Sequence, residues 1–328
     1  MNSFGKNFRV QIFGQSHGDY VGLIIDGCPP GINITPEDFK EDIERRKPGA
    51  KGTTPRKEDD IPEIISGVFN GKSAGSPITI LFKNSNTRSG DYEKQRAVPR
   101  PGHADFVAHQ KFKGFEDFRG GGHFSGRLTV ALVAAGVVAK KVIESFSPDK
   151  KIKVNATILE IGGEKDLEKG LQKAVDAKDS IGGIVECKVS HLPIGLGEPF
   201  FNSAESLISH AVFSIPAVKG IEFGAGFAAA KMFGIEHNDA IINADGTTAT
   251  NNAGGIVGGI TNGNELAFRI VVKPTSSTPK EQQTLNVETG NVESFSVKGR
   301  HDLCIALRVP VVLESVTAMV LADLMMEG

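Results

Sequence analysis

SGRLTVALVAAGVVAKKVIESF, residues 125–146, is apolar on nearly every side of a helix and carries alanine and glycine at four-residue spacing. A helix without a polar face buries its whole surface, so it belongs at the centre of a protein, packed closely on other helices. The C-terminal VPVVLESVTAMVLADLMM (309–326) has the same character. Each follows a polar, histidine-bearing loop, RGGGHFS or KGRHDLC, which points to an internal structural pseudo-repeat. Around these helices, strands are predicted at FRVQIF (8–13), VGLIID (21–26), PITILF (77–82), KVNATIL (153–159), GGIVECKVS (182–190) and ELAFRIVVK (265–273). Several alternate apolar and polar residues, as antiparallel sheets with one covered face do. A helix is expected from Thr35, with Thr35 as N-cap, Pro36 at the first helical position, Asp38 at the capping-box position and Ile34 with Phe39 at staple spacing. Further helices are expected at 165–178 and 203–213. No low-complexity linker interrupts the chain, so residues 1–328 read as one α+β domain, a β-α-β sandwich of two antiparallel sheets around apolar helices.

Charge is nearly balanced, with 37 basic and 39 acidic residues, so no whole-protein field draws in nucleic acid or an anionic membrane. Anion binding must be local. Cys28, Cys187 and Cys304 are far apart and form no C-x-x-C pair, which favours a reducing cytoplasm over disulfides or zinc. The N-terminus MNSFGKNFRV lacks an apolar leader core, and no run is expected to reach the length of a membrane span. A soluble, cytoplasmic protein is expected.

FGQSHGD (13–19) contains G-x-S-x-G, the string of a hydrolase nucleophile elbow. An elbow needs a buried strand before the serine and a helix directly after it. Here the preceding strand alternates and a second strand follows, so the elbow reading of Ser16 fails and His17 becomes the candidate. His103 sits in a comparable glycine turn, RPGHAD (100–105). Two histidines in tight turns suit acid–base work near neutral pH. Metal binding is not expected, because His103 and His109 do not share a helix face. In FRGGGHFSGR (118–127), inward amides of three glycines, a Ser125 cap and Arg119 with Arg127 make the recipe for an anion site. Arg45, Arg46 and Lys47 either complement a helix dipole or form a cationic cluster beside loop 49–55. Lys273, Thr275, Ser276 and Ser277 offer one charge and several hydroxyls at a strand end, a setting suited to phosphate.

Eight strings now stand in order along the chain: G-x-S-H-G, RR-x-PG, RPGHAD, RGGG-x-x-S-x-R, AVKG-x-E-x-G-x-GF (217–227), AGGI-x-GGI-x-NG, KPTSS and GRHD-x-C. Together they resemble chorismate synthase. That resemblance implies conversion of 5-enolpyruvylshikimate 3-phosphate to chorismate and phosphate by anti-1,4-elimination, with reduced FMN required although no net redox change occurs. It also implies the two-sheet sandwich and a homotetramer.

By the family pattern, His17 is an acid near the flavin and leaving groups supported by Ser16, His103 is the second catalytic histidine, protonating the reduced flavin or the departing phosphate, and Asp302 acts with the flavin N5 as the base that removes the ring hydrogen. FMN positions fall on His123, Phe124, Ser125, Pro216, Ala217, Gly258, the run Lys273, Pro274, Thr275, Ser276 and Ser277, and Arg300. Arg45, Arg46, Arg119 and Arg127 are the cations expected to hold the trianionic substrate. Many family members carry arginine and serine where this chain has His123 and Phe124, and glutamate where it has Leu128. Lys51 or Gly52 stands where a second basic residue contacts NADPH, so an external source of reduced flavin is expected. The alternative from another class is a non-catalytic FMN- or phosphate-binding protein of the same fold; retention of His17, His103 and Asp302 argues for the enzyme.

Overall fold

A computed structural model describes residues 2–49, 52–53, 58–85, 96–297 and 301–327. It mixes helices with antiparallel sheets. The first sheet orders its strands β1-β2-β3-β5-β4: β1 Ser3–Phe4, β2 Arg9–Gly14, β3 Tyr20–Asp26, β4 Glu63–Ser66 and β5 Ile78–Lys83. The β2–β3 register runs from Arg9 opposite Asp26 to Gly14 opposite Val21. That places Val10, Val21, Leu23, Ile25, Ile78, Ile80 and Phe82 on one buried face. The second sheet runs β8-β9-β7-β6: β6 Lys153–Ile161, β7 Gly183–Ser190, β8 Val218–Phe223 and β9 Leu266–Val272. Its buried face carries Val185, Cys187, Val189, Phe268 and Ile270. The predicted strands all form; β1, β4 and β8 were not foreseen, being short or glycine-containing.

Among the described residues, the α-helices of seven or more residues are α1 Lys40–Arg46, α2 Asp105–Phe112, α3 Thr129–Phe146, α4 Leu167–Ala177, α5 Ala204–Val212 and α6 Val309–Met325. A single 3-10 turn, Pro36–Phe39, precedes α1, and the Asp38 carboxylate accepts from the Thr35 N–H at 2.7 Å, as the capping sequence predicts. Helix α3 packs on β2 and β3, α6 packs on β6 and β7, and the two helices pack on each other. Every residue of α6 except Pro310 is buried. Each large aliphatic side chain so buried contributes about 1.5–3 kcal/mol. The helices touch at Gly136, where a Cβ would lie 2.3 Å from Ser315 Cβ and 2.4 Å from its Cα. Buried polar groups on α6 are satisfied. Glu314 takes two bonds from Arg45 (2.7 Å each) and one from the Ala156 N–H (2.9 Å). Asp323 accepts from the backbone N–H groups of Lys6, Asn7 and Phe8 at 2.6–3.0 Å.

One expectation is corrected here. Ile305–Met325 spans 21 residues at a hydropathy of 1.8, long and apolar enough to cross a membrane by length and composition. Its most apolar window is 78% buried inside the protein, as befits a core helix.

Candidate functional site

Loops from both halves of the chain meet at a cavity of about 1120 Å³. The β2–β3 turn brings His17, the loop before α2 brings Arg100 and His103, and the end of β9 brings Lys273 to Ser277. Two 3-10 turns, Gly126–Leu128 before α3 and Ile305–Arg308 before α6, each deliver an arginine, Arg127 and Arg308. Among the described residues, no group of three or more His, Cys, Asp or Glu could hold a metal ion.

The triple glycine organises the histidines. Gly120, Gly121 and Gly122 have φ of 60°, 80° and 53°, the left-handed region that a Cβ disfavours. A Cβ on Gly120 would fall 2.1 Å from His17 Cε1 and 3.1 Å from Ser16 Oγ; one on Gly121 would fall 3.1 Å from His103 Cε1. Both imidazoles therefore rest on neighbouring glycines of one turn. Of the three glycine amides expected to face an anion, that of Gly121 donates instead to Phe118 O at 3.2 Å, and imidazoles lie over Gly120 and Gly121. Ser125 caps the 3-10 turn rather than α3, accepting from the Arg127 N–H at 3.3 Å. Ser16 is fully buried beneath His17, and its N–H donates to Gly122 O at 3.0 Å.

His103 is oriented by a residue sequence reasoning did not single out. Its Nδ1 lies 2.6 Å from Asp105 Oδ1, and Asp105 also accepts from Arg100 Nε (2.7 Å) and Nη2 (2.8 Å). Burial works against ionisation of Asp105, but the bonds from Arg100 and His103 outweigh it and hold its carboxyl well below the usual carboxylate range. Arg100 also reaches Ser277 Oγ at 3.2 Å. The signal for Asp105 and Arg100 was present within RPGHAD itself.

Lys273, Thr275, Ser276 and Ser277 all line the cavity. Lys273 Nζ donates to Gly102 O (2.5 Å) and Ser276 Oγ (3.1 Å), so the strand end is tied to the loop that carries His103. Thr275 Oγ1 is buried and has no hydrogen-bond partner among the described residues. Pro216 and Ala217 line the same wall; Ala217 has φ of 73°, and its carbonyl accepts from the Lys273 N–H at 2.9 Å. His123 and Phe124 also line the cavity. His123 Nδ1 lies 2.8 Å from Gly14 O and Nε2 lies 3.1 Å from Asn2 Oδ1, and Phe124 packs against Phe112. Asp302 lines the cavity 3.3 Å from Arg308 Nη1.

The arginines divide. Arg46 and Arg127 line the cavity; burial and the neighbouring Arg308 and Arg127 pull Arg46 down to about 10, against the attraction of Asp60, so it stays a cation at neutral pH. Arg45 and Arg119 are corrections. Arg45 is forked onto buried Glu314 and lies off the cavity wall. Arg119 is forked onto Asp117 at 2.8 Å through both Nε and Nη2, and is likewise off the wall. Gly258 is also outside it, at the exposed tip between Ile256–Val257 and Ile260–Thr261. Arg300 lies outside the described residues. Arg308, Arg100, Asp60 and Glu58 are cavity residues that sequence reasoning missed.

Comparison with known proteins agrees on one family. A family profile described as chorismate synthase matches residues 8–326. A chorismate synthase from Chitinophaga pinensis is 70% identical over 326 residues, covering 99% of this chain and 97% of its own. One from Methanocaldococcus jannaschii is 40% identical over 367 residues, covering 100% and 97%. A solved structure titled as the crystal structure of chorismate synthase superposes with a TM-score of 0.74 at 25% identity, covering 99% of this chain and 93% of that one.

Proposed function

The chain belongs to the chorismate synthase family and is a lyase of that activity; we propose that it converts 5-enolpyruvylshikimate 3-phosphate to chorismate and phosphate, by anti-1,4-elimination, in the cavity described above. The observation that carries this reading is the seating of His17 and His103 on adjacent glycines within a cavity walled by Arg46, Arg100, Arg127 and Arg308. Two proton-transfer groups beside several cations suit expulsion of a phosphate from a polyanionic ring.

The family implies a flavin, and we infer FMN in its reduced form. The residues fit that group: the unpartnered Thr275 Oγ1, Lys273, Ser276 and Ser277 would take a phosphate, and Pro216, Ala217, His123, Phe124 and Ser125 would line the remainder. When bound, reduced flavin supplies electron density transiently and is not consumed. His17 and His103 then serve as proton donors, the second held at Nδ1 by Asp105, with Arg100 Nη2 lying 3.0 Å from Nδ1 and 3.3 Å from Nε2. Asp302 takes the ring hydrogen as base, held by Arg308. Arg46 and Arg127 hold substrate oxyanions. Reduced flavin comes from an external source rather than from NADPH reduction by this chain.

We also read residues 1–328 as one domain, a β-α-β sandwich with an internal pseudo-repeat. Support lies in the matching order of histidine-bearing loop, 3-10 turn with arginine, and long apolar helix in each half. A cytoplasmic homotetramer is the assembly we propose, supported by the apolar side chains exposed over residues 194–242. The decisive assay is anaerobic. Purified protein with chemically reduced FMN and 5-enolpyruvylshikimate 3-phosphate is expected to release chorismate and phosphate in equal amounts without NADPH. Release of neither would sink the central reading.

A further inference from the structure

Asp60 stands on the cavity wall with its side chain 1% exposed, and its carboxylate takes two guanidiniums. Arg46 Nη2 donates to Oδ2 at 2.6 Å, and Arg127 Nη1 donates to Oδ1. Each arginine has a second tether: Arg46 Nη1 to Thr129 Oγ1 at 3.3 Å, and Arg127 Nε to Asn84 Oδ1 at 2.9 Å. One nitrogen is left over on each. Arg46 Nε and Arg127 Nη2 are buried and bond nothing among the described residues. Burying a cation is costly unless it is paired, and here two guanidiniums share one carboxylate. Arg308 adds a third cation, with its Nε on Arg46 O at 3.0 Å and its Nη1 toward Asp302. The trio of Arg46, Arg127 and Asp60 is thus one negative charge short, and both arginines that carry an unused buried donor are residues of the cavity lining. Burial opposes ionisation of Asp60, but both arginines outweigh it and hold its carboxyl below the ordinary range, so it is an anion at working pH.

We propose that Asp60 is a positioning residue for oxyanion binding: by bridging Arg46 and Arg127 it aims their unused N–H groups at one phosphate-type oxyanion of the substrate. This rests on the reading of the two arginines as substrate anchors. The rival role is plain counter-charge. A carboxylate that only neutralises would compete with an incoming anion, and its loss would tighten anion binding. A carboxylate that fixes two guanidiniums in register would, when lost, weaken anion binding even though net positive charge rises.

Asp60→Asn separates the two. Asp60 has φ of 52°, a conformation asparagine also tolerates, so the change removes charge without straining the backbone. The asparagine amide can accept from one guanidinium but presents N–H groups to the other. Inorganic phosphate is the probe, as an inhibitor of the anaerobic reaction with reduced FMN. For Asp60→Asn, the phosphate inhibition constant and the substrate KM are expected to rise about tenfold, the loss of roughly one charge-assisted hydrogen bond. kcat should stay within about threefold and FMN affinity, from fluorescence quenching, should be unchanged, a split that general loosening of the fold does not produce. Phosphate binding as tight as wild type, or tighter, overturns the proposal. Asp60→Glu gives a second test should the asparagine variant not fold. Charge is kept, the carboxylate moves by one methylene, and phosphate inhibition is again expected to weaken; unchanged inhibition overturns the proposal. Arg127→Ala is the arm that tests the premise. If it leaves phosphate inhibition unaltered, the anchor reading of the arginines fails; if it weakens inhibition and Asp60→Asn does not, the role of Asp60 alone fails.

Discussion

Asp105 is within bonding distance of His103 Nδ1 and holds Arg100 through two of its nitrogens, so one carboxylate orients both a proton carrier and a cation. Because its folded pKa is depressed, Asp105 adds stability that is fully present above the unfolded carboxyl range, near about pH 4. That stability is lost as pH falls further toward the folded pKa. Asp105→Asn is therefore expected to lower Tm at pH 7 and to converge on wild type below about pH 4, which thermal scans across pH will check. At pH 7 its kcat should fall roughly 10–100-fold as His103 loses its fixed tautomer, with substrate KM little changed. A gap in Tm that widens on acidification would contradict the linkage. At this scale the sequence was legible where type and neighbourhood agree, as at His17, His103 and the Lys273 to Ser277 arc. It was not legible for the arginines. Arg45 and Arg119 looked equivalent to Arg46 and Arg127, but a guanidinium's partner is set by which carboxylate comes within about 3 Å, and Glu314 is 269 positions from Arg45.

Among the elements, α3 and α6 were the most readable, because an apolar surface on every side has no stable place except a core. One close approach between them, Gly136 on Ser315, follows from packing alone. Gly136→Ala would normally favour a helix, yet the added Cβ meets the Ser315 Cβ and Cα, and neither can swing away. The expected cost is about 1–3 kcal/mol of overpacking, seen as a lower Tm. Gly234→Ala, where a Cβ meets nothing within 4 Å, should leave Tm unchanged or raise it slightly. Equal effects at the two sites would refute the crossing contact. Helix α2 escaped the sequence reading for a physical reason: Phe106, Val107 and Phe112 remain exposed, so DFVAHQKF shows no apolar stripe of helical period.

For the whole molecule, Phe200, Phe201, Phe227, Phe233 and Ile235, all within 36 positions of the sequence, are each at least 77% exposed, and large exposed apolar side chains mark association surfaces when they gather into a patch. Sedimentation of the 34.9 kDa chain is expected to give a species of four copies, and Phe201→Glu with Ile235→Glu to give smaller ones. A wild-type monomer at micromolar concentration would end the tetramer reading. Periodicity and ordered motifs by themselves determined six strands of the two sheets, the two core helices, the family and much of the polar lining of the cavity, because those depend on residue type and local spacing. Only the tertiary structure decided that both histidines rest on one glycine turn, that Asp60 and Asp105 organise the arginines, and that Arg45, Arg119 and Gly258 stand apart from the cavity. The reason is that a charged side chain has several partners within reach, some two positions away as Asp117 is from Arg119 and some 269 away as Glu314 is from Arg45, and burial with a few ångströms of side-chain reach, invisible in the order of residues, chooses among them.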